Sequence, residues 1–270
     1  MQPAQVSAEL LGQVFGPLPV LVLDLDFQED IGARHPTDDR IKTIAGARKS
    51  IPMSRQDTRR CELCETRRAR RACPGIRGEI CSVCCGTERE VTVSCPLDCP
   101  YLEEARRFER PPQIDPETIP SPELELSQEF LRRNTGLLAL IMDTIVGTFQ
   151  EVPLAVDSDV REALDSLVRT YQTLESGLYY ETLPANPLAG AFHQAIRRTL
   201  EETRRRIRES TGATPYRDAD ILGALVFLQR AHHLENNGRS RGRAFLHSLV
   251  RQSRRQAEAR QERESPIILP

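Results

Sequence analysis

The sequence predicts a mainly α-helical protein: a small cysteine-rich module followed by an antiparallel helical bundle. Three observations lead there. All eight cysteines lie between Cys61 and Cys99. Five prolines crowd into RPPQIDPETIPSPELE, residues 110–125, where they deny a continuous helix and favour an extended linker. From Ser127 onward, apolar residues recur at three- and four-residue spacing, the period of a helix with one buried face. The organisation expected is an arm over 1–52, the cysteine module over 53–110, a linker over 111–126, the bundle over 127–252 and a polar tail over 253–270.

Whole-chain averages hide this order. The 270 residues carry a formal charge of −2, yet of 37 basic residues all but Lys42 and Lys49 are arginine, and tryptophan is absent. Such usage points to a high-GC, bacterial genome.

The arm holds one apolar burst, VLVLDLDF at 20–27, followed by a stretch without periodicity, so it is expected to lack regular structure. An apolar strand ending in Asp24-x-Asp26 resembles the first motif of haloacid-dehalogenase-type phosphotransferases. That class needs a parallel sheet of several βα units, and the cysteines begin before one further unit could form, so no enzyme is read here. Met53, which opens MSRQDTRRCELC, offers an alternative start, with 1–52 then untranslated. No basic residue precedes the apolar stretch before Arg34, which argues against a secretory signal. In the remainder, the longest apolar run, LLALIM at 137–142, falls far short of the roughly 20 residues that span a bilayer. A cytoplasmic protein with no membrane partner is expected.

The cysteine order is Cys61-x2-Cys64-x8-Cys73-x7-Cys81-x2-Cys84-Cys85-x9-Cys95-x3-Cys99. In a reducing compartment, clustered thiols favour metal over disulfides. Two C-x2-C pairs match the spacing of structural zinc sites, and eight cysteines fill two tetrahedral shells. A C-x2-C turn delivers both sulfurs to one ion, so Cys61, Cys64, Cys81 and Cys84 form the first site. Cys85 projects differently from Cys84 and finds that site full, so it joins Cys73, Cys95 and Cys99 in a second. The two shells interleave along the chain as a cross-brace, with Cys84-Cys85 as its hinge. Cys99 precedes Pro100 and YLEEARRF, which places it at a helix mouth, where the first turn accepts proline and free amides stabilise a thiolate. Two Zn2+ ions are therefore expected, in complete four-cysteine shells of the structural kind. The alternative cofactor is an iron–sulfur cluster, suggested by the Cys-Pro steps at Cys73, Cys95 and Cys99 but without the closely spaced cysteines of a ferredoxin run.

This interleaved order resembles RING- and MYND-type cross-braced zinc modules, and the knuckle-then-helix plan resembles treble-clef fingers. The resemblance covers residues 61–108. It departs from those families in having no histidine ligand and no close pairing of Cys73 with Cys85, so it implies a zinc-stapled fold and carries over no ubiquitin-ligase or peptide-binding activity. ICSVCCGTEREVTVSCPLDCPYLEEAR is also similar to bacterial proteins in which such a module precedes a helical region, which implies no activity either.

Within the bundle, Leu131, Leu137, Leu138, Ile141, Ile145 and Phe149 predict a helix stopped near Pro153. Val160, Leu164, Leu167, Val168, Tyr171, Leu174 and Leu178 predict a second, behind a Ser158 cap. Asn186-Pro187 supplies a cap and a first-turn proline to a third, which carries Leu188, Phe192, Ile196, Leu200 and Ile207. A fourth is expected from Asp218 to Glu235, with Gly238 to end it. A fifth begins near Arg241 and carries Phe245, Leu246, Leu249 and Val250 before fraying into the polar tail.

Between Ser54 and Arg77, eight arginines face three acids, with no aromatic residue among them. The main reading is that guanidinium groups offset the formal charge of about −2 on a four-thiolate zinc shell and donate hydrogen bonds to sulfur. The runner-up is a nucleic-acid-associated regulator that binds phosphates through residues 55–77. Adjacent His232 and His233 read as core or surface residues. With no phosphate loop, nucleophile elbow or HExxH, no catalytic residue is assigned. The function expected is a zinc-binding interaction or scaffold protein with a protein partner; an iron–sulfur sensor or electron-transfer protein is the second alternative. So small a module buries little core, so zinc is expected to hold it together, with the cysteine-free bundle surviving chelation.

Overall fold

In the computed structural model of the protein, the described residues are 59–109, 115–212 and 216–264. The arm with Asp24 and Asp26, the Met53 start, Arg55, the first linker residues and the end of the tail lie outside them.

The described chain is mostly helical, with one small sheet. Strands β1 (Arg71–Cys73) and β2 (Gly78–Ile80) form an antiparallel hairpin in the register Arg71 to Ile80, Ala72 to Glu79 and Cys73 to Gly78. Helix α1 (Ser82–Thr87) follows at once, and α2 (Pro100–Arg106) comes after an irregular stretch. Cys99 is the N-cap of α2 and Pro100 its first residue, the place where a missing N–H costs nothing. Among the described residues, Ile80, Val93 and Leu102 are the buried members of this cluster besides cysteines, too little hydrocarbon to hold such a module unaided.

The proline-rich stretch is irregular, with a 3-10 turn at Pro116–Thr118, yet it is tied down. The Arg230 guanidinium donates to the carbonyls of Pro120, Ser121 and Leu124 at 3.1, 2.6 and 2.8 Å. Leu124 and Leu126 pack on the helical core.

Six helices follow: α3 (Gln128–Arg133), α4 (Thr135–Glu151), α5 (Asp157–Glu175), α6 (Pro187–Thr211), α7 (Asp218–Glu235) and α8 (Ala244–Glu264). The stripe residues Val160, Leu164, Leu167 and Val168 of α5 are buried, as are Phe192, Ile196 and Leu200 of α6 and Phe245, Leu246 and Leu249 of α8. Helix α7 is buried without a break from Ile221 to Leu228, the pattern of a central helix rather than an amphipathic one. It packs on α5 and α8, while α4 packs on α6 and α8. Leu97, from between the last two cysteines, rests on the same core. Among the described residues, no helix is long and apolar enough to cross a membrane.

Four boundaries differ from the sequence reading. The first predicted helix is two, because Asn134 leaves helical geometry and turns its side-chain amide onto the Phe130 carbonyl at 3.1 Å. Ser158 is not a cap: α5 begins at Asp157, and Asp159 accepts the Val156 N–H at 2.8 Å. Helix α8 runs on to Glu264 through the expected tail, whose Ala, Arg, Gln and Glu are good helix formers. The α5 stripe stops short, since the helix ends at Glu175 and Leu178, read as its last apolar position, is exposed in the loop that follows. Asn186 caps α6 as its sequence signals, accepting the Leu188 N–H at 2.9 Å.

Candidate metal centre

Two turns place the first four cysteines. In one, Cys61 N–H donates to the Arg67 carbonyl at 2.8 Å and Glu65 N–H to the Cys61 carbonyl at 2.7 Å, which folds Cys61 to Arg67 into a knuckle. In the other, Cys81 caps α1, its Sγ accepting the Cys84 N–H at 3.4 Å. Backbone and side chain then join the turns: Glu62 N–H donates to the Glu79 carbonyl at 3.0 Å, and Glu79 N–H to the Glu62 carboxylate at 2.9 Å. As a result the sulfurs of Cys61, Cys64, Cys81 and Cys84 all lie within 4.8 Å of one another. Four sulfurs bound tetrahedrally at about 2.3 Å from zinc stand about 3.8 Å apart, so small side-chain rotations suffice to close the shell. Three of these cysteines are buried and Cys64 is half-buried.

Thiols this crowded cannot all ionise without a cation. The Thr66 hydroxyl, then the Arg67 and Thr66 backbone, hold the Cys64 thiol down at about 5. A hydrogen bond shared with Cys81, followed by burial and the other two sulfurs, pushes Cys84 up to about 12. Burial pushes Cys61 up, but backbone hydrogen bonds from Cys81, Cys64 and Leu63 outweigh it and leave it lowered. A divalent cation among them resolves the conflict by ionising all four thiols, with proton release on binding. Arg67 stands ready to offset the result: charge on Cys64 foremost, then on Cys81, strengthens its hold on its own proton.

The remaining cysteines are arranged differently. Cys73, Cys95 and Cys99 are buried in the same cluster, with Cys85 half-buried beside them. Burial pushes the Cys95 thiol up against a hydrogen bond from the Glu90 backbone, and charge on Cys99, Glu90 and Cys73 adds to the rise. Among the described residues, however, Cys61, Cys64, Cys81 and Cys84 are the set close enough to share an ion. Among the described residues, no three of the other four cysteines meet within that distance, and Cys85 is engaged elsewhere. It follows Cys84 on α1, about 100° round the helix axis, and its Sγ accepts from Arg71 at 3.3 Å, with Arg89 at 4.0 Å. Arg71 is braced in turn on the Tyr101 ring, 4.7 Å from the ring centre. The Cys84-Cys85 dipeptide does send its sulfurs into different surroundings, but a second shell is not drawn together.

The loop between Cys85 and Cys95 is docked on the segment that joins α7 to α8. Glu90, 0% exposed, accepts the Arg106 guanidinium at 2.9 Å and the Arg243 N–H at 3.1 Å on one oxygen, and the Asn237 amide at 2.9 Å on the other. Its carbonyl accepts the Arg241 N–H at 2.8 Å. Buried Arg243 donates to the carbonyls of Cys95, Ala155 and Leu154 at 3.1, 2.8 and 3.1 Å. Ser240 reaches the Val91 carbonyl and Arg239 the Arg89 carbonyl. Below this seam, the buried Asp157 carboxylate accepts the N–H groups of Phe245 and Leu246, both at 3.0 Å, and so caps α8 from the start of α5. His232 Nε2 donates to the Asp157 carbonyl at 3.0 Å, and His233 Nε2 lies 3.0 Å from the Thr118 hydroxyl. Sequence reasoning missed Glu90, Arg243 and Asp157, which carry no spacing or periodic signal.

One exposed surface is apolar. Leu178, Tyr179, Tyr180 and Leu183, between α5 and α6, are 66–73% exposed. Their loop is anchored: Thr173 donates to the Tyr180 carbonyl at 3.2 Å, Thr182 N–H to the Thr170 hydroxyl at 3.0 Å, and Ala185 and Asn186 N–H to the Glu162 carboxylate at 2.7 and 3.1 Å.

Compared with known proteins, the chain matches no family model, no curated protein and no solved structure.

Proposed function

We propose that the protein is a cytoplasmic zinc-binding scaffold, in which a module stapled by structural zinc is joined to an antiparallel helical bundle that presents a surface to a protein partner. The observation that carries this reading is the approach of the Cys61, Cys64, Cys81 and Cys84 sulfurs to within 4.8 Å. Four thiolates in that arrangement suit zinc, and because the protein supplies all four ligands the role is structural rather than catalytic. A second zinc ion would take Cys73, Cys95 and Cys99, with Cys85 exchanging Arg71 for metal. The neighbourhood of the first three supports it. For the scaffold role, the support is the anchored loop from Leu178 to Leu183. Aromatic and aliphatic side chains held outward on a pinned backbone lose little entropy on docking, as a protein partner requires.

The test is elemental analysis with native mass spectrometry on the full chain, purified without added metal. Zinc bound by the chain is expected, two ions if both shells fill. Iron with acid-labile sulfide, or a folded chain with no metal, overturns the proposal.

A further inference from the structure

The arginines around the metal centre divide by what they touch. Arg67 faces the sulfurs of Cys64 and Cys81, Arg71 faces Cys85 and Tyr101, and Arg59 pairs with Glu79 at 3.4 Å. Arg60, Arg68 and Arg70 have no such employment. All three are exposed, and among the described residues none joins an ion pair. Their one side-chain hydrogen bond runs from Arg60 to the Glu65 carbonyl at 3.3 Å.

Their placement is unfavourable for the protein alone. Arg60 and Arg68 oppose each other across an antiparallel bridge, which puts both side chains on one face, and Arg70 continues that face two residues on. Like charges directly opposed weaken a strand pair. Residues 59–80 contain seven arginines and three glutamates, an excess of four positive charges. A four-thiolate zinc shell of formal charge about −2 halves that excess without cancelling it.

We infer that Arg60, Arg68 and Arg70 form a docking face for the phosphate backbone of duplex nucleic acid. Guanidinium forks pair with phosphate oxygens, and a polyanion turns their mutual repulsion into attraction. An unpaired strand would call for aromatic side chains to stack its bases, and none occurs between Ser54 and Arg77. An acidic peptide would call for apolar or main-chain anchorage beside the charge. Between Arg59 and Ile80 the large apolar side chain among the exposed ones is Leu63, 39% exposed, too little by itself to supply it. With no side chain placed to read bases, the contact is independent of sequence.

The inference takes the metal-stapled module as its platform, and the two can fail separately, because elemental analysis reports one and duplex binding the other. The experiment is fluorescence anisotropy of a mixed-sequence duplex of about 20 base pairs with the full chain. If three phosphates are neutralised, affinity falls about 40-fold between about 50 and 200 mM salt. The R60Q/R68Q/R70Q variant, with metal content and far-ultraviolet circular dichroism unchanged, is expected to lose at least about tenfold in affinity at low salt and to flatten that dependence. The matched R198Q/R205Q/R208Q variant on α6 is expected to bind as the parent does. Three results overturn the inference: no duplex binding at low salt by the folded protein, equal losses in both variants, or competition by polyglutamate as strong as by duplex at equal charge. The last would assign the face to an acidic protein.

Discussion

Glu90 and Arg243 hold one another's segments from both sides. The Glu90 carboxylate accepts the Arg243 N–H at 3.1 Å, and the Arg243 guanidinium donates to the carbonyl of Cys95, farther along the loop that carries Glu90, also at 3.1 Å. Both side chains are buried, so neither can trade its partner for water. The cysteine module and the last helix therefore share a polar seam, and the prolines between them do not make the two parts independent.

Replacing Glu90 tests the seam. Glu90→Leu leaves the buried Arg106 charge with the Arg243 carbonyl alone and strands the Asn237 amide and the Arg243 N–H. Removing one partner of a buried ion pair costs about 3–5 kcal/mol, and this pair is 0% and 13% exposed at its two side chains. The reference is Glu129→Ala, which breaks an Arg132 pair exposed by 73% and 75% and should cost under about 0.5 kcal/mol. Urea denaturation of the two variants gives the comparison; equal midpoints would deny the seam its role.

Metal removal should reach beyond the cysteines. If chelation frees the Arg89 to Cys95 segment, the helices lose the hydrogen bonds that Arg241, Arg243 and Asn237 make to it, and their melting temperature should fall by roughly 2–4 °C for each kcal/mol lost. The cysteine-free region would then not survive chelation unchanged, contrary to what its sequence suggests. Thermal melting at 222 nm, with and without chelator, decides: an unchanged helical transition would mean that the parts unfold separately.

Four groups give stability an uneven pH profile. Burial pushes Asp157 up to about 7 and Glu235 up to about 8, from ordinary values of 3.8 and 4.5. Burial likewise pushes His232 and His247 down to about 4, from 6.5. Between about pH 5 and 6 the folded chain carries the two carboxyl protons and the unfolded chain the two imidazole protons, so stability changes little. Above pH 6.5 the unfolded chain sheds its imidazole protons while the folded chain still binds protons at Asp157 and Glu235. Stability then declines toward pH 8, by up to about 1.4 kcal/mol per pH unit for each proton. As pH falls toward 4, the folded histidines begin to accept protons just as the unfolded carboxylates do, so these four groups leave stability nearly level. Urea midpoints from acid to alkaline pH should trace a plateau with one falling shoulder on the alkaline side, and Asp157→Asn should soften it.

Two glycines should respond in opposite directions. A Cβ at Gly223 in α7 would run into the Phe130 ring, and such overpacking costs about 1–3 kcal/mol. A Cβ at Gly190 in α6 meets nothing, so Gly190→Ala should stabilise by about 0.5–1 kcal/mol through helix propensity. Melting temperatures of the two alanine variants check both signs.

What could be read in the chain was whatever depends on neighbours in sequence. The stripes of α5 as far as Leu174, of α6 and of α8, the Asn186 cap and the Cys99-Pro100 helix start are local, and they stand where their spacing places them. The Cys61, Cys64, Cys81 and Cys84 set was legible too, because each pair is a turn and only one hairpin separates them. Asn134 was not legible as a break, since it lies in an otherwise periodic run and acts through one side-chain bond. Nor was the fate of the prolines. They report that a stretch is not helical, and say nothing of Arg230, about 110 residues on, which binds three of its carbonyls. Glu90, Arg243 and Asp157 are single polar residues whose partners are distant, and no pattern in sequence marks such a residue for burial.

Glu90 meets Asn237 and Arg243 only across 147 and 153 residues of chain. On a polypeptide emerging from its N-terminal end at about 5–20 residues per second, that interval lasts roughly 8–30 s. During it all eight cysteines have already been synthesised, while Glu90 still lacks the partners that bury it. Arrival of α8 therefore seals a segment made long before it, and a nascent chain halted short of residue 237 would leave the Glu90 loop uncovered.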